Sequence, residues 1–349
     1  MRYTPINQVK SEMILGQEIH DASGRLLLSK HLKLTEENIS YIAFLGIPGV
    51  YIDDKFVKEV EIEEIVKPEI RQTAVSLVQN LFLTVAEGEL PNQENEIKKN
   101  VEEIVNNVLE NEDVMYNLIE LKTYDDYTYF HSANVAILAG VIGAKCGLTK
   151  QELEDIVISG FLHDIGKVFI DPNIINAPRR LTEEERLKMM AHPRSGYEFL
   201  VENYHFSERV LRAVYEHHEW VNGMGYPCHK KEDELLLNSK ILKAADVYDA
   251  MTSRRSYHAP YLPGEVLEYI MGRSGMEFDT QIVQVMTNEL CVYPLGCEVE
   301  LSDSTHAIVI KNHRGFVLRP TIKLLTDGRI MNLTTDRTTW NLTITKLMM

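Results

Sequence analysis

The sequence predicts a mainly α-helical chain whose helical centre is flanked by a small N-terminal α+β module and a small C-terminal β-domain. Three observations carry this. From Val57 to Leu290 apolar residues recur at helical spacing, as expected of helices with one buried face. Before that stretch, short β-like runs surround a single helical segment. Beyond Leu290 the pattern changes to short runs rich in β-branched residues, separated by turn sequences. A chain of 349 residues has room for two or three units, and the changes in texture put the segments at 1–56, 57–122, 123–290 and 291–349.

In the first segment, Asp21-Ala22-Ser23-Gly24 reads as a turn ahead of Arg25-Leu26-Leu27-Leu28. Thr35 followed by Glu36-Glu37-Asn38 has the composition of a capped helix start; Ile39, Ile42 and Leu45 line one face, and Gly46 ends the helix. Pro48-Gly49 then leads into a strand-like Val50-Tyr51-Ile52. No motif in this accessory module names a function. In the second segment Ile70, Ala74, Leu77 and Leu81 share one helix face, as do Val101, Ile104, Val105 and Val108. The polar stretch Glu87-Gly88-Glu89-Leu90-Pro91-Asn92 between them predicts a helical hairpin. Two readings stand for it: a packing layer on the next segment, or a homodimer and signal-relay surface within 57–122.

The third segment carries its polar residues at helix ends. His131 shares a face with Val135 and Leu138, where a histidine is ordinarily a hydrogen-bonded core residue. Gly147 ends that helix and Thr149 caps the next, which runs through an apolar wall to Phe161-Leu162-His163-Asp164-Ile165-Gly166-Lys167. Adjacent helical side chains diverge by about 100°, so His163 and Asp164 can reach two different ions or bridge a pair. Lys167, four residues after His163, falls on the same face, where its ammonium can meet an anion. Asp171-Pro172 and Ala177-Pro178 mark loops, and Thr182 with Glu183-Glu184-Glu185 starts another helix. Pro193 suits the first turn of a further helix and leaves His192 at a junction, its ring free to point inward. The helix from Val210 to Glu216 delivers the adjacent pair His217-His218. In the loop that follows, Gly223 and Gly225 permit close backbone approach to a ligand, and Tyr226 offers a face for stacking on a base. Asp246 and Asp249 lie three apart on one face of the helix Ile241 to Met251. Taken singly, each of these also has a plain reading: a solvated helix end, a packing histidine, an ordinary turn.

Taken together and in order, His163-Asp164 and the segment His217-His218-Glu219-Trp220-Val221-Asn222-Gly223-Met224-Gly225-Tyr226-Pro227 resemble the HD-GYP family, a branch of the HD-domain metal phosphohydrolases. The resemblance runs from Tyr127 to Phe278. It implies an all-helical HD-type catalytic domain in which His131, His163, Asp164, His192, His217, His218 and Asp246 are the metal ligands, with Asp164 bridging. A set of imidazoles and carboxylates without thiolate suits iron or manganese at least as well as zinc, with nickel and magnesium also compatible. Members with three ions carry a glutamate four residues before the first histidine; this chain has Tyr127 there, a poor ligand, with Asp126 beside it, so two divalent ions per chain are expected. Two ions about 3.5 to 4 Å apart would lower the pKa of a bridging water, clamp a phosphodiester oxygen and neutralise developing charge. The implied substrate is cyclic di-GMP, opened to linear pGpG and onward to GMP. Lys167 and Arg255 would stabilise phosphate oxygens, Asp249 would orient water or a ligand, and Gly225 and Tyr226 would lie against substrate. The family's usual Arg-Pro-Tyr followed by a lysine or arginine reads Arg255-Ser256-Tyr257-His258 here, which makes His258 a candidate pH-sensitive phosphate contact. Three alternatives stay open: a phosphodiesterase for another cyclic dinucleotide such as 3′,3′-cyclic GMP-AMP, a different HD-type phosphohydrolase, which would leave the Gly-Tyr-Pro segment unexplained, and a catalytically weak cyclic-dinucleotide-binding scaffold.

Composition narrows the partners. A formal charge of −16 and a pI near 5.2 argue against a nucleic-acid polymer, whose phosphates need a basic surface. A phosphate substrate must then be drawn by local charge, which bound divalent cations supply. The apolar run Val135 to Ala144 stops at Lys145, too short to cross a bilayer, and Arg2, Lys10 and Glu12 interrupt any signal-peptide pattern. A cytoplasmic protein without a membrane partner is expected. Cys146, Cys228, Cys291 and Cys297 have no Cys-x-x-Cys spacing, which argues against a zinc ribbon. In the last segment Glu298–Leu301, Ala307–Ile310, Phe316–Leu318 and Thr321–Leu324 read as strands, and His306 and His313, like His20, His31, His205 and His229, read as surface or packing residues.

Overall fold

The computed structural model describes residues 1–20, 26–58, 60, 65–90, 94–111, 114–115, 127–177, 179–253 and 261–348. Strands β1 (Arg2–Pro5), β2 (Ile19–His20) and β3 (Leu26–Leu28), helix α1 (Glu36–Phe44) and strand β4 (Gly49–Ile52) make the N-terminal module. β1 pairs antiparallel with β4, and β2 with β3. The Thr35 side chain accepts the Asn38 N–H while the Asn38 side chain accepts the Thr35 N–H, the reciprocal cap that the sequence pattern implied. The expected turn at Asp21 to Gly24 lies outside the described residues.

Helices α2 (Pro68–Ala86) and α3 (Glu94–Glu110) form the hairpin. Its apolar faces, among them Val78, Leu81 and Phe82 on α2 and Val101, Ile104 and Val105 on α3, belong to the main core. That core also contains α4 (Tyr127–Lys145) and α5 (Lys150–Leu162), so the hairpin is a packing layer on the two helices that open the site. Thr149 caps α5 reciprocally with Glu152, as expected. A 3₁₀ turn at Ile165–Phe169 follows, then α6 (Pro172–Ile175), α7 (Glu183–Met189), α8 (His192–Asn203), α9 (Glu208–Glu216), α10 (Leu237–Thr252), α11 (Pro263–Gly272) and α12 (Thr280–Glu289). The loop expected at Asp171-Pro172 is instead the start of one helical turn, because the Asp171 carboxylate accepts the Asn173 N–H and Pro172 needs no donor at that position. Among the described residues no helix is long and apolar enough to cross a membrane.

Beyond α12, β5 (Glu298–Leu301), β6 (His306–Lys311), β7 (Thr321–Leu324), β8 (Ile330–Asn332) and β9 (Ile344–Met348) form an antiparallel sheet of order β8-β7-β6-β5-β9. The strand expected at Phe316–Leu318 is a turn. Both edges of β6 are taken, by β5 and β7, and only Val317 of the three side chains is buried. This sheet shares a core with the chain's other end: Tyr3 and Tyr51 pack edge to face among Cys297, Val299, Val309 and Ile322. The Tyr3 N–H donates to the Gly296 carbonyl at 2.9 Å, Arg2 pairs with Glu298 at 2.7 Å, and Lys323 donates to the Phe56 carbonyl at 2.7 Å.

Three close backbone approaches draw the helical core together. A Cβ on Gly160 of α5 would sit 2.3 Å from Cα of Ala136 on α4. A Cβ on Gly166 would sit 1.9 Å from the His192 carbonyl oxygen and 2.6 Å from the Gly196 nitrogen on α8. A Cβ on Gly225 would meet the Trp220 nitrogen at 2.3 Å. None of these neighbours is a side chain that can step aside. We therefore expect Gly166→Ala to lower unfolding stability by about 1–3 kcal/mol or more. Gly272→Ala, where no atom lies within 4 Å of the added carbon, should stay within about 0.5 kcal/mol in the same denaturant titration.

Candidate metal centre

Each imidazole in the centre is aimed by what its Nδ1 touches. His163 caps the C-terminal end of α5, and its Nδ1 lies 2.8 Å from the Gly160 carbonyl oxygen. His217 caps α9 in the same way, 2.7 Å from the Val214 carbonyl, and His192 reaches the Met189 carbonyl at 2.7 Å. A carbonyl can only accept, so Nδ1 carries the hydrogen in all three and Nε2 points the other way, into a shared space. On α4, His131 makes the corresponding contact to a carboxylate, Asp249 Oδ2, at 2.7 Å, and its Nε2 meets Asp246 Oδ1 at 3.1 Å. The two aspartates expected on one face of α10 thus hold opposite edges of a single ring.

Asp164 stands between two groups of imidazoles. Its Oδ2 lies 3.4 Å from His163 Nε2 and 3.9 Å from His131 Nε2, while its Oδ1 lies 3.4 Å from His192 Nε2. Ligand atoms of His131, His163 and Asp164 lie within 4.8 Å of one another, and so do those of His192, His217 and His218. Asp246 Oδ1, 3.1 Å from His131 Nε2 and 3.9 Å from His163 Nε2, joins the first of these groups, so all seven side chains put forward as metal ligands converge, each buried or nearly so. One local detail departs from expectation. α5 ends at Leu162, so Asp164 and Lys167 lie on a 3₁₀ turn rather than on a continuing α-helix. In that tighter turn residues three apart are eclipsed, and Lys167 Nζ donates to Asp164 Oδ2 at 2.5 Å instead of sharing a face with His163.

The residues fit divalent cations on two counts. Buried His163 Nε2 and Asp164 Oδ1 make no hydrogen bond. Moreover His192 Nε2 and His217 Nε2 face each other at 3.2 Å with both Nδ1 atoms already donating, so two lone pairs are opposed unless a cation or proton lies between. Protonation is disfavoured there. Burial, above all, pushes His192 down to about 4 and His217 and His218 well below the usual imidazole value, with neighbouring imidazoles adding to the effect. Burial works to raise Asp164 and Asp246, but nearby Lys167 and His163 for the first, and His131 for the second, hold both well below the carboxylate range. His131 goes the other way: burial would lower it, yet its hydrogen bonds to Asp246 and Asp249 push it up to about 9. Anionic carboxylates beside the neutral imidazoles of His192, His217 and His218 make the ligand set that hard and borderline divalent metals take, and a cation taking His131 Nε2 would displace the proton its aspartates hold there.

Of the residues assigned to substrate, Tyr226 stacks on His218 with ring centroids 4.8 Å apart and planes 22° apart. Gly225 is buried, and a side chain there would collide with the backbone of Glu219 and Trp220. Arg255 and His258 lie outside the described residues, as does Asp126. Sequence reasoning missed Glu219, whose buried carboxylate accepts the Cys228 and Lys230 N–H groups. Its position directly after the paired histidines was the available signal.

A family description, "HD domain", matches residues 94–282. The chain is 31% identical over 229 residues to a cyclic di-GMP phosphodiesterase of Pseudomonas aeruginosa, covering 66% of this chain and 55% of that one. It is 29% identical over 181 residues to a 3′3′-cGAMP-specific phosphodiesterase of Vibrio cholerae, covering 50% of this chain and 34% of that one. The matches thus span about half or less of these relatives' own length. Among solved structures, an HDG"Y"P protein from Bdellovibrio bacteriovorus superposes with a TM-score of 0.52 at 15% identity, covering 81% of this chain and 97% of that one, a likeness of fold. The helical core, the gathered histidines and aspartates, and these matches identify the chain as a member of the HD-domain family, in its HD-GYP branch.

Proposed function

We propose that the chain is a metal-dependent phosphodiesterase that hydrolyses cyclic di-GMP to linear pGpG, with onward cleavage to GMP, using two divalent ions, iron or manganese before zinc, nickel or magnesium. The single observation that carries this reading is the opposed pair of neutral imidazole nitrogens beside a two-sided Asp164, an arrangement that a cation on each side relieves. Bound there, two ions would supply Lewis-acid stabilisation of a phosphodiester and activation of a water. The chain's own residues would do the rest. Asp164 is placed to bridge, and Asp249 holds the His131 ring in the orientation that presents Nε2. Lys167, about a quarter exposed, can turn its ammonium from Asp164 to a phosphate oxygen. Tyr226 keeps one ring face on His218 and offers the other to a base, and Arg255 and His258 are assigned to the phosphates on the family pattern alone.

Similarity to a 3′3′-cGAMP-specific phosphodiesterase favours one second reading, the same hydrolysis of a mixed cyclic dinucleotide. We place the protein in the cytoplasm, a reducing compartment that suits its four unpaired cysteines. A homodimer contact within 57–122 falls to the outer face of the hairpin, where Leu83 is half exposed, because Leu77 is buried.

Protein reconstituted anaerobically with Fe(II) or Mn(II) should hold two ions per chain and open cyclic di-GMP at a higher kcat/KM than 3′,3′-cyclic GMP-AMP. A reversed ratio selects the second reading, and three ions per chain rule out the binuclear assignment. Asp164→Ala should lower turnover on the order of 10³-fold, which a binding scaffold would not register. Asp249→Ala should weaken metal affinity by about 10–100-fold while activity recovers at high metal concentration; a titration identical to that of the unaltered protein would remove Asp249 from the site.

A further inference from the structure

Two buried glutamates close together on and just beyond the end of α9 take no part in the ligand set. Glu216 is 1% exposed and Glu219 is 2% exposed. Glu216 Oε1 accepts from Arg212 Nε at 2.9 Å and from Lys230 Nζ at 2.7 Å, and its Oε2 accepts from Ser239 Oγ at 2.6 Å. Glu219 accepts the backbone N–H of Cys228 at 2.5 Å and that of Lys230 at 3.1 Å. Lys230 therefore engages both carboxylates, one through its backbone and one through its ammonium, although fourteen residues separate it from Glu216.

Between these anchors runs the loop that carries Tyr226. Its middle is tied by the Tyr226 N–H to the His218 carbonyl at 3.2 Å and by Gly225 packed on Glu219. Its near end is tied to the 273–279 turn by the Asn222 N–H to the Met276 carbonyl at 3.1 Å, and Arg273 lies over the Trp220 ring at 5.9 Å. The far end depends on the two glutamates. A buried carboxylate that loses a donor keeps its desolvation cost, so the far end cannot swing outward without leaving Glu216 short of a cation and Glu219 short of two N–H groups.

We propose that Lys230 closes a clamp of two buried glutamates that holds the 220–230 loop and thereby sets Tyr226 over His218, making Lys230 a positioning residue for the substrate pocket. The functional half of this rests on the reading of the site given above; the clamp itself does not. Removal of the ammonium is a selective perturbation, because Arg212 and Ser239 keep Glu216 partnered and α9 need not unfold.

The experiment compares metal-loaded full-length protein with Lys230→Met and Lys230→Arg by amide hydrogen exchange, metal content and steady-state kinetics on cyclic di-GMP. In Lys230→Met, exchange across 220–230 should rise about tenfold or more, the factor carried by a lost charge-assisted hydrogen bond, while α9 and α10 keep their protection. KM should rise by about the same factor with kcat within about twofold and metal content unchanged, and Lys230→Arg should restore both. Unchanged loop exchange overturns the clamp. Faster loop exchange with an unchanged KM overturns the positioning role, and faster exchange throughout α9 and α10 with loss of metal reduces Lys230 to general stability. Should the unaltered protein fail to turn over cyclic di-GMP, the phosphodiesterase reading falls, and the exchange data alone still decide the clamp.

Discussion

Two uncharged imidazole nitrogens facing each other at 3.2 Å, each with its lone pair forward, are the constraint around which this fold is arranged. Such an arrangement is repulsive until a positive centre lies between, and it occurs inside a wall of Leu, Ile and Val that withholds water. The opposite half of the cage adds Asp164 and Asp246, carboxylates kept anionic against burial by the groups around them. Folding thus assembles a ligand set whose own electrostatics are left incomplete. That incompleteness is what gives a cation somewhere to go, and a cation held there would reverse the local field inside an otherwise acidic protein.

Assembly of the cage depends on distances that only small residues permit. α4 and α5 approach backbone to backbone at Ala136 and Gly160, and the turn bearing Asp164 rests on the N-terminal part of α8 at Gly166 and Gly196. These approaches bring His131 beside His163 and Asp164 beside His192. Helix ends then do the aiming. Three of the histidines use the free carbonyl three residues back, a group that a helix terminus leaves without a partner, as the acceptor that fixes their tautomer. Termination of α5 and α9 is therefore part of the ligand geometry as well as an end to the helices.

Outside the centre, the two ends of the chain meet. The β1–β4 pair lies against the C-terminal sheet through Tyr3 and Tyr51, and the hairpin of α2 and α3 packs on α4 and α5 in the separate helical core. Within the helical core Phe82 of the hairpin meets Tyr129 of α4 edge to face, so the hairpin packs directly on the helix that carries His131.

Much of this was legible from residue order alone, for local reasons. Reciprocal caps at Thr35, Thr149 and Thr182, apolar spacing along α2 and α3, and the adjacency of His163 with Asp164 and of His217 with His218 are determined by neighbours within one or two helical turns. That these seven side chains would gather in one place was legible as well, through the order of the family's motifs. What only the tertiary structure decided has long-range causes. Phe316–Leu318 is no strand because both edges of β6 were already occupied, and Gly225 must lack a side chain because the backbone of Glu219 and Trp220 lies against it. Asp249 was one of two carboxylates on a helix face until α4 brought His131 Nδ1 to it, and Glu216 and Lys230, unremarkable in sequence, became partners only when the intervening loop closed. Periodicity reports which face of an element is buried; it carries no information on which distant backbone will come within hydrogen-bonding reach, because that depends on the packing of elements that a local window never sees.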